Sequence, residues 1–132
     1  MKQKSGFTIL ETSIVITALA LLFILFFIQI QNFGAMHRDE TRKTAVNAVH
    51  YALENSFYTA NKYYPESISP ENLPVVAPEL WTDPSGYDFN APESDYVYQP
   101  ANCHQGRCTE YTLRARLEKE SDYIKTNPVS TN

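Results

Sequence analysis

The sequence predicts an α+β protein: one long N-terminal α-helix, apolar in its first half and amphipathic in its second, packed on a small antiparallel β-sheet head. Three observations predict it. All eight prolines lie at Pro65 or later, so nothing in the first 64 residues interrupts a helix. An almost uncharged apolar run occupies Phe7 to Ile30. Residues Glu110 to Glu118 alternate apolar and polar, the period of a strand that buries one face. At 132 residues the chain is one domain's worth, and once the helix is set aside about 70 residues remain for the head, a small core.

The apolar run, FTILETSIVITALALLFILFFIQI, is 24 residues long, and a helix crosses a bilayer core in roughly 20. Between Thr12 and Met36 no side chain is charged, and the run contains a single carboxylate, Glu11. At the centre of a span such a group costs roughly 3 kcal/mol, so it marks a function or a partner unless it merely sits at the interfacial end. Beyond the span, Val46, Val49, Leu53, Phe57 and Ala60 recur at three- and four-residue steps, with Glu54, Asn55 and Lys62 outside the stripe. Span and stripe read as one helix from Phe7 to Lys62, 56 residues or about 84 Å at 1.5 Å per residue. Gly34 is its expected bend. Arg38, Asp39, Arg42 and Lys43 mix favourable and unfavourable i,i+4 pairs and read as a solvated face with no site.

Asn61-Lys62-Tyr63-Tyr64-Pro65 should end the helix, because proline restricts the residue before it and has no amide to donate. Ser69-Pro70-Glu71 and Pro78-Glu79-Leu80 look like single helical turns, Ser69 as a cap. Asp83-Pro84-Ser85-Gly86-Tyr87 is a turn signal, followed by β-prone pieces at Tyr87 to Phe89 and Asp95 to Gln99. In the clearest strand, Tyr111, Leu113, Ala115 and Leu117 form the face expected on the helix stripe. With Tyr96, Val97 and Tyr98 it makes a hairpin whose loop runs from Asn102 to Cys108. The close pair Cys103 and Cys108 suits an oxidising exterior. A disulfide between them would close a six-residue loop, contributing about 2 kcal/mol on the chain-entropy model. Two free thiols or a metal site with His104 stand as alternatives, zinc lacking a fourth ligand.

With 11 basic and 15 acidic residues the formal charge is -4. No basic footprint for a nucleic-acid backbone follows, and nucleic acid is not an expected partner. His37, His50 and His104 are far apart and sit in no nucleophile or zinc-protease motif, so no catalytic residue is assigned and the chain is not expected to be an enzyme. The nine tyrosines read as core and interface packing, although Tyr63, Tyr64 and Trp81 could be adhesive if exposed.

The flanks of the span carry the most specific signal. A short basic stretch, Met1-Lys2-Gln3-Lys4-Ser5-Gly6, joins the apolar run as Lys4-Ser5-Gly6-Phe7-Thr8-Ile9-Leu10-Glu11. This resembles the type IV prepilin signature, over about the first 30 residues. The resemblance implies a pilin-like fold in four parts: a leader at 1-6, a transmembrane and filament-core helix at 7-36, the amphipathic half of that helix at 37-64 and a β-rich head at 65-132. It implies cleavage between Gly6 and Phe7 by prepilin peptidase, N-methylation of Phe7, and roles in assembly for Phe7, Thr8 and Glu11. The Tyr64-Pro65 pair fits the same family, where such a pair commonly closes the helix.

A role for Glu11 also follows from physical chemistry. An α-amino group freed at Phe7 lies at the edge of a low-dielectric layer, and a carboxylate on a neighbouring helix is its natural counter-ion. The expected partners are copies of the chain, other pilins, the peptidase and an inner-membrane assembly platform. The expected location is the inner membrane as a single-pass precursor, then an extracellular pilus or a periplasmic pseudopilus.

The resemblance leaves a pilin or minor pilin, serving adhesion, twitching or DNA uptake, beside a pseudopilin of a type II secretion system. Many true pilins carry a proline within the span about where Ile28 stands here. Some pseudopilins bind calcium near their C-terminus. The acidic segment of Asp83, Asp88, Glu93 and Asp95 is the place to look, but its spacing matches no recognised calcium loop, and no metal or other cofactor is expected. An uncleaved anchored binding protein is a further alternative, and the positive-inside rule does not decide orientation, with Lys2 and Lys4 before the span and Arg38, Arg42 and Lys43 after it. A secretory signal cut after Ala35 would put Phe33 where a small residue is needed.

Overall fold

The structure, a computed structural model, describes residues 8-128. An α-helix, α1 (Ile9–Ala52), continues into a π-helical segment (Leu53–Tyr58) and a last turn, α2 (Thr59–Asn61). Then come β1 (Tyr64–Pro65), a 3₁₀ turn (Pro78–Leu80), β2 (Tyr96–His104), β3 (Arg107–Ala115) and β4 (Tyr123–Thr126). The arrangement is α+β, a long helix packed on a small antiparallel sheet of four strands.

The chain divides into two compact units with the boundary between Ala35 and Met36. In the first, every large apolar side chain of the helix from Ile9 to Phe33 is exposed. An 18-residue window in this helix reaches a mean hydropathy of 2.7, long and apolar enough to cross a membrane. This is consistent with a membrane-anchored chain, and an N-terminal signal sequence has the same profile.

In the second unit the helix face Ala45, Val46, Val49, Ala52 and Leu53 forms one core with Tyr111, Leu113, Ala115 and Leu117 of the alternating strand. Tyr96 and Tyr98 stand opposite Ala115 and Leu113 in β2 and complete the buried face of the sheet. Each valine or leucine among them contributes roughly 1.5–3 kcal/mol on leaving water. β3 holds β2 along one edge; β1 and β4 share the other, at Arg107–Cys108 and Thr112–Ala115 respectively. Between them the Asn127 side chain stands in for a strand: its Oδ1 accepts from the Tyr111 amide (3.1 Å) and its Nδ2 donates to the Thr109 carbonyl (3.4 Å).

Several expectations change here. α-Helical structure is unbroken at Gly34, and the departure from α geometry comes at Leu53–Tyr58. A lone glycine costs about 1 kcal/mol, too little to break a helix with good formers on both sides. The wider π turn shifts the phase of the stripe, so Phe57 is only half-buried and Ala60 is exposed. The helix ends at Asn61, capped by Lys62 in the left-handed region at φ 64°. Tyr87 to Phe89 forms no strand, only a bridge between Thr82 and Asp88. The hairpin loop contracts to Gln105-Gly106, both at positive φ (51° and 76°), the geometry of a two-residue turn that matches strand twist. β1 and β4, of two and four residues, carry no strand signal of their own and form through pairing with β3.

Candidate functional site

In the first unit, Thr8 begins the helix. Its Oγ1 accepts a hydrogen bond from the Glu11 amide (3.3 Å) and its carbonyl accepts from the Thr12 amide (3.1 Å). Thr8 is therefore an N-cap and Glu11 occupies the third helical position, where a carboxylate also meets the positive end of the helix dipole. Structure thus brings together two of the residues singled out by sequence; the Glu11 side chain is exposed and accepts no hydrogen bond among the described residues. Gly6 and Phe7, the expected cleavage and methylation site, lie outside the described residues. The hydroxyls that follow are satisfied within the helix, Thr12 by the Thr8 carbonyl, Ser13 by Leu10 and Thr17 by Ser13. A span can therefore carry them at little cost.

In the second unit, the segment read as a solvated face is instead the head's polar hub. Asp39 and Arg42 are only 2% and 3% exposed. Arg42 Nη1 donates to Asp39 Oδ1 (3.0 Å) and Glu118 Oε1 (2.8 Å), while Nη2 donates to Asp95 Oδ2 (2.8 Å). Asp39 in turn accepts from the backbone amides of Glu118 and Lys119, each at 2.9 Å. One helical turn is thereby tied to the start of β2 and to the segment after β3. Arg38 forks onto both Glu118 oxygens (2.7 and 2.6 Å), and Lys43 pairs with Glu40 and Glu120. A signal was there to be read: Asp39 and Arg42 fall in phase with Val46, Val49 and Leu53, so the buried face runs back through them.

The hub sets its own protonation. Burial pushes the Asp39 carboxyl up, but the two amides and Arg42 outweigh it and hold the group below the usual carboxylate range. The hydrogen bond from Arg38, then that from Arg42, brings Glu118 down to about 2. Asp83 is treated similarly: burial opposes ionisation, but amides of Asp95, Tyr87 and Ser85 prevail at 2.9, 3.0 and 2.8 Å. The acidic loop therefore spends Asp83 on backbone donors and Asp95 on Arg42 and Arg116. Among the described residues no group of three or more His, Cys, Asp or Glu could hold a metal ion.

At the π-helical segment, Tyr111 donates its hydroxyl to Glu54 Oε1 (2.6 Å), and Tyr64 donates to both Glu54 oxygens (3.1 and 3.2 Å). His50 Nδ1 lies 2.7 Å from the Tyr111 hydroxyl. Because that proton is committed to Glu54, His50 meets the phenol as an Nδ1–H donor. Burial lowers its pKa, opposed by Glu54 and assisted by Lys125. Cys103 and Cys108 face each other directly in the β2–β3 register and are joined by a disulfide, their Cα atoms 3.9 Å apart.

Comparison with protein-family models, curated proteins and solved structures finds no match.

Proposed function

We propose that this chain is a structural subunit of a type IV pilus-like extracellular filament. It enters the inner membrane as a single-pass precursor, is cut between Gly6 and Phe7 and methylated at Phe7. It then assembles, on an inner-membrane platform, with copies of itself and other pilins. The observation that carries this reading is the Lys4-to-Glu11 join, directly ahead of an exposed apolar helix that continues into the core of a small head. Exposed apolar side chains in an unbroken run need lipid or other apolar helices to cover them. An assembling subunit meets both, one after the other. Glu11, alone among apolar residues, gives the second cover its register. The unbroken span, with Ile28 where many pilins carry proline, is the observation behind a second reading, a pseudopilin of a type II secretion system. A neighbouring gene for a retraction ATPase or for an outer-membrane secretion pore separates the two.

Mass spectrometry of the native N-terminal peptide tests the processing: a start at N-methylated Phe7 is expected, and retained Met1 or a start at Met36 ends the reading. Glu11→Gln tests the register. The variant should insert and be cut, since a less costly group now enters the membrane edge. Filament yield should fall while mature subunit accumulates in the membrane. Wild-type incorporation of the variant into sheared filaments would remove Glu11 from the assembly mechanism.

A further inference from the structure

Three buried polar side-chain atoms of the head have no hydrogen-bond partner among the described residues: Arg42 Nε, Tyr96 Oη and Trp81 Nε1. The Arg42 and Tyr96 residues are 3% and 0% exposed. Protein interiors rarely leave such groups unpaired, and where no protein atom serves them an ordered water or an ion does.

Two of the three belong to one polar pocket. An arginine carries its N–H donors on Nε and on both terminal nitrogens. Here Nη1 serves Asp39 and Glu118 and Nη2 serves Asp95, so Nε–H is the donor left over. Asp95 extends the network, its amide donating to Asp83 Oδ2 at 2.9 Å. Tyr96 is the next residue along. The Ser94 hydroxyl holds its amide (3.1 Å), and its ring packs on Phe89 (4.7 Å). Burial first, then the charge of Asp83, pushes the Tyr96 phenol up to about 12, with Arg42 opposing and Asp95 adding. The phenol therefore lies in the field of the same guanidinium and carboxylates that form the hub. Small side chains adjoin it: Ala115 stands opposite Tyr96 in the register, and Ala45 follows Arg42 by three residues, both fully buried. Trp81 stands one ring further off, packing on Phe89 at 5.8 Å.

We propose that one buried water molecule links Arg42 Nε to the Tyr96 hydroxyl and so completes the attachment of the helix to β2. The chemistry of the pocket selects this occupant. Nε–H only donates, which turns away a metal cation. Asp39, Asp95 and Glu118 already balance the guanidinium and Asp83 adds further negative charge, which turns away an anion. Water accepts from Nε–H and from the hydroxyl and returns its own protons to carboxylate lone pairs. Asp83 Oδ2 has one to offer, since it accepts a single bond among the described residues. The site lies inside one head and holds whether or not the chain assembles into a filament.

Tyr96→Phe in the full chain, held in detergent, moves stability in opposite directions for a bridged and an unpaired hydroxyl. If water bridges it, the variant loses a partner and should unfold at a lower temperature, its unfolding equilibrium shifted on the order of tenfold towards the unfolded chain. If the hydroxyl is unpaired, removing it relieves a desolvation cost; unchanged or raised stability therefore overturns the inference. A crystal structure of the wild-type chain that shows ordered water should place one molecule about 3 Å from both Arg42 Nε and Tyr96 Oη. Protein acceptors found at both atoms instead also overturn it. So does an unfolding temperature that follows chloride at fixed ionic strength, which assigns the pocket to an anion.

Discussion

At the scale of single residues, Arg42 has the largest leverage. It is buried against Asp39, with the half-buried Asp95 and the more exposed Glu118 on its other sides, so its removal leaves the buried Asp39 carboxylate without a counter-charge. Arg42→Met should destabilise the head by about 3 kcal/mol, much of it regained when Asp39→Asn is added, because the penalty lies in the stranded charge more than in the lost attraction. Thermal unfolding of the two variants checks this; equal losses would mean that Asp39 is solvated.

The same residues predict a pH dependence. Asp39, Asp83 and Glu118 titrate lower in the folded head than in an unfolded chain. Their contribution is therefore complete above the unfolded carboxylate values, about 4, and is lost as pH falls towards the folded ones. His50 is also depressed, which takes stability away as pH drops below its unfolded value of about 6.5. Unfolding temperature should thus decline in two stages on acidification, and His50→Gln should abolish the upper stage only. A single stage in the wild type would show that His50 protonates freely in the folded head.

At the scale of elements, the β2–β3 hairpin is pinned at its tip. The disulfide closes six residues, and replacing Cys103 and Cys108 by serine should lower head stability by about 2 kcal/mol while leaving membrane insertion intact. Chemical denaturation with and without reductant gives the same comparison in the native sequence; a midpoint insensitive to reductant would contradict it. The π-helical segment offers a second test. Its wider turn places Glu54 where Tyr64 and Tyr111 both donate to it, so Tyr111→Phe strands His50 and removes one of the carboxylate's three hydrogen bonds. A loss of about 1–2 kcal/mol is expected.

For the whole molecule, the division between Ala35 and Met36 separates two solvents' worth of sequence. Residues 36–132 contain the head's core, its disulfide and its polar hub, and none of the exposed apolar run. Expressed alone, this part should be soluble and unfold cooperatively, whereas the whole chain should need detergent. Aggregation of residues 36–132 in an oxidising buffer would show that the apolar half of the helix supports the head.

Much of this was legible in the sequence. Period and composition determined the long helix, the buried faces of Val46, Val49, Leu53, Tyr111, Leu113, Ala115 and Leu117, and the closure of the helix before Pro65. Such features rest on neighbours a few residues apart, which the chain states directly. Tertiary structure alone decided that Asp39 and Arg42 are buried, that Asn127 completes a sheet edge, and that Asp83 and Asp95 of the acidic loop turn inward. The burial of Asp39 and Arg42 depends on partners 53 to 80 residues away, such as Asp95 and Glu118 for Arg42. A charged side chain at a helical position reads as solvated until the partner that makes its burial affordable has been brought there by the fold.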